Sequence, residues 1–219
     1  MRGAFREDLN KFYRIQFGTE RVAVWRRLRF WIRSFGLHCV AVYRFGKMTE
    51  RVRRRNVVLG LPLVLVHFVL NYGMQFFHHV NIDDADVGPG FYIGHVGTIY
   101  IGPVKIGANF SVTHNVTIGV GHSEGKTGTP TIGDNVWVGT GSVISGLITL
   151  GNQVTISNGT MLTRSVPDRC LVAGNPGRVI MNDFDNSQLF ALPKFDKPAE
   201  PETPNVGADV SDDRARSRD

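Results

Sequence analysis

Apolar residues along this 219-residue chain keep two different beats. Over residues 21–35, "RVAVWRRLRFWIRSF", Trp, Leu, Phe and Ile recur three or four apart with arginines between them, the spacing of an amphipathic basic helix. From residue 87 the beat is six: Val87, Ile93, Ile99; after one added residue Ile106, Val112, Ile118; beyond a loop Ile132, Val138, Ile144, Leu150, Ile156, Leu162. All twelve are Val, Ile or Leu, and Gly follows seven of them. Neither helix nor strand periodicity demands a six-residue beat, whereas an internal repeat does.

The sixfold pattern predicts a β-helix built from hexapeptide repeats. Each hexad makes one short strand and one corner, the aliphatic side chain points inward, and glycines and small polar residues turn the corners. A coil buries its inward face only against its neighbours, so several coils are needed. The repeat ends at "RSVPDRCLVAGNPGRVI" (164–180). The chain therefore divides into a helical, basic segment over 1–79, a β-helix over 80–182, and a remainder over 183–219. Of that remainder, "DFDNSQLFALPKF" reads as a short docking segment. The stretch 196–219, rich in Pro, Asp and Arg, reads as disordered.

Within the helical segment, the apolar run Val57 to Leu70 is broken by Pro62 and falls short of the roughly 20 residues a bilayer span needs. An interfacial or re-entrant segment, or a helix buried against other subunits, is expected instead. Residues 1–79 carry 13 Arg and 2 Lys against four acids, a net +11, in a chain whose total is +6. That asymmetry favours peripheral contact with an anionic membrane through residues 21–70. No nucleic-acid motif accompanies the charge, so nucleic acid is not expected as a partner. Cys39 and Cys170 show no metal or redox spacing, no secretory signal opens the chain, and a reducing cytoplasm is the default, with the inner membrane face as the contact surface.

Three histidines interrupt the apolar repeat. His95 and His114 each follow an inward residue by two, so both fall at corners, and their spacing of 19 places them at the same corner one coil apart. His122 lies in "GVGHSEGKTGTPT" (119–131), which reads as a flexible loop. A neutral imidazole suits the removal of a hydroxyl proton, and a tetrahedral oxyanion would need a fixed N–H, which corner glycines can offer. Two stacked imidazoles disfavour double protonation. No nucleophile elbow, Cys-His pattern or metal-ligand spacing is present, so neither a covalent acyl-enzyme nor a metal is expected. His38, His67, His78 and His79 read as structural or interfacial.

The stretches "GFYIGH", "THNVTIG", "GTPTIGDNVWVG" and "VPDRCLVAGNPGRVI" resemble the serine acetyltransferase branch of the hexapeptide acyltransferases, over about residues 80 to 180. "AVYRFGK" and the basic-then-apolar stretch after it look more like the colanic-acid and capsule acetyltransferases. The resemblance implies a left-handed β-helix, a homotrimer with sites in the clefts between prisms, acetyl-CoA as donor, and His95 as general base. The 19-residue register, rather than the resemblance, places His114 beside that base. Asn81 stands where the family has an aspartate supporting the histidine, with Asp83, Asp84 or Asp86 as alternatives, and Thr129 replaces a second family histidine. For the coenzyme, the candidates are Lys126, Arg164 and Arg178 toward phosphate, and Gly139, Gly141, Ser157 and Asn158 along the pantetheine groove; Trp137 could cover adenine or pack between prisms. The expected activity is O-acetylation of a sugar hydroxyl in exopolysaccharide or capsule synthesis by direct transfer. The alternative acceptor is L-serine, and a non-enzymatic trimeric scaffold is the alternative of another class.

Overall fold

The computed structural model describes residues 2–123 and 125–191. The stretch read as disordered (196–219) and the end of the docking segment lie outside the described residues. Between residues 80 and 173 the chain winds as a parallel β-helix of three sheets, each coil contributing one short strand to each sheet. The register is set by stacked aliphatic side chains. Val87 pairs Ile106, then Ile132 and Leu150. Ile93 pairs Val112, then Val138 and Ile156. All twelve repeat positions are buried, none more than 5% exposed. One position stacks differently from the sixfold count: Ile101, not Ile99, lies over Ile118, while Ile99 pairs Val80. Both Ile99 and Ile101 point inward, so the strand Ile99–Ile101 serves two neighbours with two aliphatic residues.

The insertion expected as a flexible loop is a β-hairpin, with strands Gly121–Ser123 and Lys126–Gly128 in antiparallel register. Its alternation fixes it in place. Ser123 turns inward and donates its hydroxyl to the Thr163 carbonyl at 2.7 Å, and Gly121 lies so close to Ser145 and Gly146 that a side chain would collide with them.

The basic segment forms four helices: α1 (Arg2–Phe17), α2 (Val24–Arg33), α3 (Phe35–Arg55) and α4 (Val57–His78). α3 and α4 are an antiparallel hairpin: Gly60 abuts Arg53, Gly46 abuts His67, and the Phe35 and His78 rings meet at 4.9 Å. Pro62 does not end the apolar run. It lies in the second turn of α4, where it forgoes one backbone bond, and the helix runs on to His78, 22 residues in all, with α3 packed alongside.

α1 and α3 close over the first coils and share their core. Two buried basic side chains make this joint. The Arg44 guanidinium binds the Asp8 carboxylate at 2.7 and 3.0 Å and also donates to the Val87 and Gly88 carbonyls. Asp8 in turn accepts the Phe91 N–H at 2.7 Å. Lys11, fully buried, reaches the carbonyls of Gly90, Asn109 and Phe110 at 3.0, 2.9 and 3.2 Å. Buried polar groups of this kind are tolerated because each is partnered. After the last coil, a short α5 (Ser187–Ala191) returns to set Phe190 against Trp137 and under the Lys11 amine at 4.7 Å.

Candidate active site

His95 and His114 meet at one corner of the prism, as their register requires. Their rings stand edge-on with centroids 5.9 Å apart. His95 is exposed and His114 half-buried. The His114 Nδ1 is buried without a hydrogen-bond partner among the described residues. The corner after His95 is the irregular one. Ladder bonds stop at Gly94 N–H and resume at Ile99 N–H; between them Gly97 has φ 129° and Thr98 φ 43°, the latter a costly value for a β-branched residue. The N–H groups of residues 95–98 therefore find no backbone acceptor among the described residues, which leaves them available as donors at this corner.

The groove glycines Gly139 and Gly141 spend their N–H groups within the ladder. The Gly139 N–H is used on the Ile156 carbonyl at 2.8 Å and the Gly141 N–H on the His114 carbonyl at 3.2 Å. Gly139 is instead required because Asn158 presses against its α-carbon. Asn158 spends its side-chain oxygen on the Thr140 N–H at 3.0 Å, and the Ser157 carbonyl accepts from Ser142 and Thr160. These residues still lie where a coenzyme groove would run. Extending the register by two residues puts His95, His114, Thr140, Asn158 and Gly174 in one column along a single edge. Arg178 is at the far end of that edge, paired with Ala173.

Other candidates fall elsewhere. Lys126 sits on the hairpin and Arg164 one residue past the carbonyl to which the hairpin is tied, so both hang on a different corner from His95. His122, also on the hairpin, is bound to the Thr127 hydroxyl at 3.1 Å. Asn81 pairs Tyr100 in the first strand and makes no hydrogen bond to His95 among the described residues. Of the alternative carboxylates, Asp84 is engaged by Lys47 at 3.1 Å. Trp137 is covered within the chain by Phe190. Burial pushes the Cys39 thiol up to about 12, which removes it as a nucleophile.

Sequence reasoning did not place α2 at the site. A cleft of about 750 Å³ opens over His95, and its far wall is α2, which contributes Trp25, Arg26, Arg29 and Arg33. Arg29 and Arg33 have no carboxylate partner within 4 Å among the described residues. The periodicity of 21–35 marks the arginines as one face of a helix; only the fold shows that this helix overhangs a corner some seventy residues later.

A parallel β-helix of hexapeptide coils with an exposed corner histidine is the architecture of the acyltransferases that the sequence resembles. No family model matches the chain. It is similar to the serine acetyltransferase of Bacillus pumilus (strain SAFR-032), 36% identical over 151 residues, covering 68% of this chain and 65% of the relative. It is also similar to that of Bacillus subtilis (strain 168), 37% identical over 112 residues, 50% of this chain and 51% of the relative. The chain thus spans less than two thirds of the length of these curated relatives. Among solved structures, the fold matches serine acetyltransferase from Brucella abortus strain S19 in complex with coenzyme A, with a TM-score of 0.61 at 23% identity over 82% of this chain and 67% of that one. It likewise matches the Neisseria gonorrhoeae enzyme in complex with serine, TM-score 0.57 at 24% identity over 80% and 67%. These comparisons overturn the expectation of a sugar hydroxyl in polysaccharide synthesis: relatives at 36–37% identity are serine acetyltransferases.

Proposed function

We propose that this chain is an acetyl-CoA-dependent O-acetyltransferase whose acceptor is L-serine. The observation that carries the reading is the exposed His95 at the head of the column His95–His114–Thr140–Asn158–Gly174, facing Arg29 and Arg33, which have no carboxylate partner among the described residues. The similarity to serine acetyltransferases supports the acceptor.

In this mechanism the thioester lies along the column with its carbonyl at the corner. His95 takes the proton of the serine hydroxyl, and the alkoxide oxygen attacks the thioester carbon. The oxyanion faces the free N–H groups of residues 95–98. As the C–S bond breaks, the thiolate takes the proton back from His95, giving the acetyl ester and free coenzyme A. The serine carboxylate meets Arg29 and Arg33, whose planar guanidinium groups suit it. Arg178 serves coenzyme phosphate at the far end of the column. In a homotrimer the corner bearing the partner subunit's Lys126 and the partner subunit's Arg164 would close the cleft, which accounts for their distance from His95 within one chain.

The test is turnover of the purified chain with acetyl-CoA and L-serine, read as thiol release and as O-acetylserine by mass spectrometry. His95→Ala should lower kcat by about 10²- to 10⁴-fold with an unchanged circular dichroism spectrum. A folded, coenzyme-binding chain that leaves L-serine untouched would refute the acceptor, and a fully active His95→Ala the mechanism.

A further inference from the structure

Among the described residues, the outer face of α4 has no partner. Val58, Leu61, Leu65, Phe68, Tyr72 and Phe76 recur on one side of the helix and are all exposed. The opposite stripe, with Val64, His67, Asn71 and Met74, faces α3. A row of large apolar side chains this long on a surface marks a binding face. At about 1.5 Å per residue the helix extends some 33 Å, and it is long and apolar enough to cross a membrane by length and composition.

The surroundings decide how such a helix meets lipid. α3 runs antiparallel along its whole inner side and carries Lys47, Glu50 and the arginines 51, 53, 54 and 55. Hydrocarbon cannot surround that pair, because charged groups at the bilayer centre are costly. Only His79 separates the last residue of α4 from the first β-helix strand. The hairpin therefore suits the plane of the interface: α4 supplies the apolar face and α3 the cationic flank, the two halves of an interfacial amphipathic element. The charge distinguishes lipid from a second copy. With residues 1–79 at net +11, pairing this face with itself brings like charges together, whereas an anionic surface attracts them.

We propose that the α3–α4 hairpin docks this protein onto an anionic lipid bilayer, lying in the interface with the outer face of α4 buried among the acyl chains and Arg51, Arg53, Arg54 and Arg55 on the headgroups. The inference is independent of the acceptor and is tested without turnover. The full chain is sedimented with vesicles of phosphatidylcholine alone or mixed with phosphatidylglycerol, at low and high salt. Binding is expected to the anionic vesicles only and to weaken with salt. Each of Arg53→Gln, Arg54→Gln and Arg55→Gln should weaken it about fivefold. Leu65→Asp with Phe68→Asp should abolish it while circular dichroism and the thermal midpoint stay unchanged. No binding to anionic vesicles overturns the proposal. So does binding that the aspartate pair leaves intact, and so does an oligomer that the same pair dissociates, since the face would then belong to a second copy.

Discussion

Replacing Lys11 by methionine keeps the length of the side chain and removes its amine from the joint between α1 and the first coils. Burial pushes Lys11 down to about 6, Arg14 adding to the effect and Asp8 opposing it. In the folded protein at neutral pH the group is therefore an uncharged amine with two protons to donate. Of its three carbonyl neighbours, that of Phe110 already accepts the Tyr92 N–H, so those of Gly90 and Asn109 depend on the amine. Methionine leaves both without a donor, at about 1–3 kcal/mol each, so Lys11→Met should destabilise by about 2–6 kcal/mol at pH 10.5, and by about 2 kcal/mol less at pH 9, where the folded wild type already bears the cost of giving up the proton. The pH dependence distinguishes this account from simple loss of packing. Unfolded, the lysine holds its proton up to about 10.5; folded, it gives the proton up above about 6. Unfolding in that window takes up a proton, so the wild type loses stability as pH falls from 10.5 toward 6, by about 1.4 kcal/mol per pH unit. The variant has no such group. Urea unfolding followed by tryptophan fluorescence at fixed protein concentration should show the gap between the two proteins narrowing by about 2–3 kcal/mol from pH 9 to pH 7. A gap independent of pH, or a variant as stable as wild type at pH 10.5, would refute the assignment.

Arg29→Gln combined with Arg33→Gln should raise KM for L-serine about 10- to 100-fold, by loss of a charge-assisted pair, with KM for acetyl-CoA unchanged; a rise confined to acetyl-CoA would move these arginines to the donor. Gly36→Ala drives a methyl group into the carbonyl of Ile93, two residues before His95; it should cost about 1–3 kcal/mol and lower kcat, and an unchanged kcat would show that α3 does not hold the corner.

The β-helix was legible in the sequence because its signal is short-ranged and repeated: each inward side chain stacks on its counterpart one coil away, so one six-residue beat states both strand and register. The pairing of His95 with His114 followed from the same count. The slip at Ile99–Ile101 was not legible, since both residues are aliphatic and either could face inward; only the Ile101–Ile118 register decides between them. The hairpin at 121–128 was hidden by composition, because Gly, Ser and Thr suit a loop as well as two short strands with a tied Ser123. Pro62 misled because a breaker rule is local, whereas α4 is held by α3 along its length. The overhang of α2 on the cleft depends on how α1 and α3 dock through Lys11 and Arg44, contacts between residues tens of positions apart that no periodicity records.

Those docking contacts also explain why the helices form part of the site. Arg44 and Tyr43 hold the backbone at residues 85–88, Lys11 holds Gly90 and Asn109, and Gly36 lets α3 touch Ile93. Each anchor falls within a few residues of the strand Tyr92–Ile93, which leads to the His95 corner, or of its neighbour one coil on. A β-helix corner is positioned along the axis by the coils beneath it, but the first coil has no neighbour on its outer side. The helices take that place, so the imidazole is held between two stacked coils and a helical cap. The same cap presents α2 to the cleft and α4 to the outside. A substitution that loosens the cap, such as Lys11→Met, therefore acts on the corner geometry as well as on stability, and its activity loss should follow pH in parallel with its stability gap.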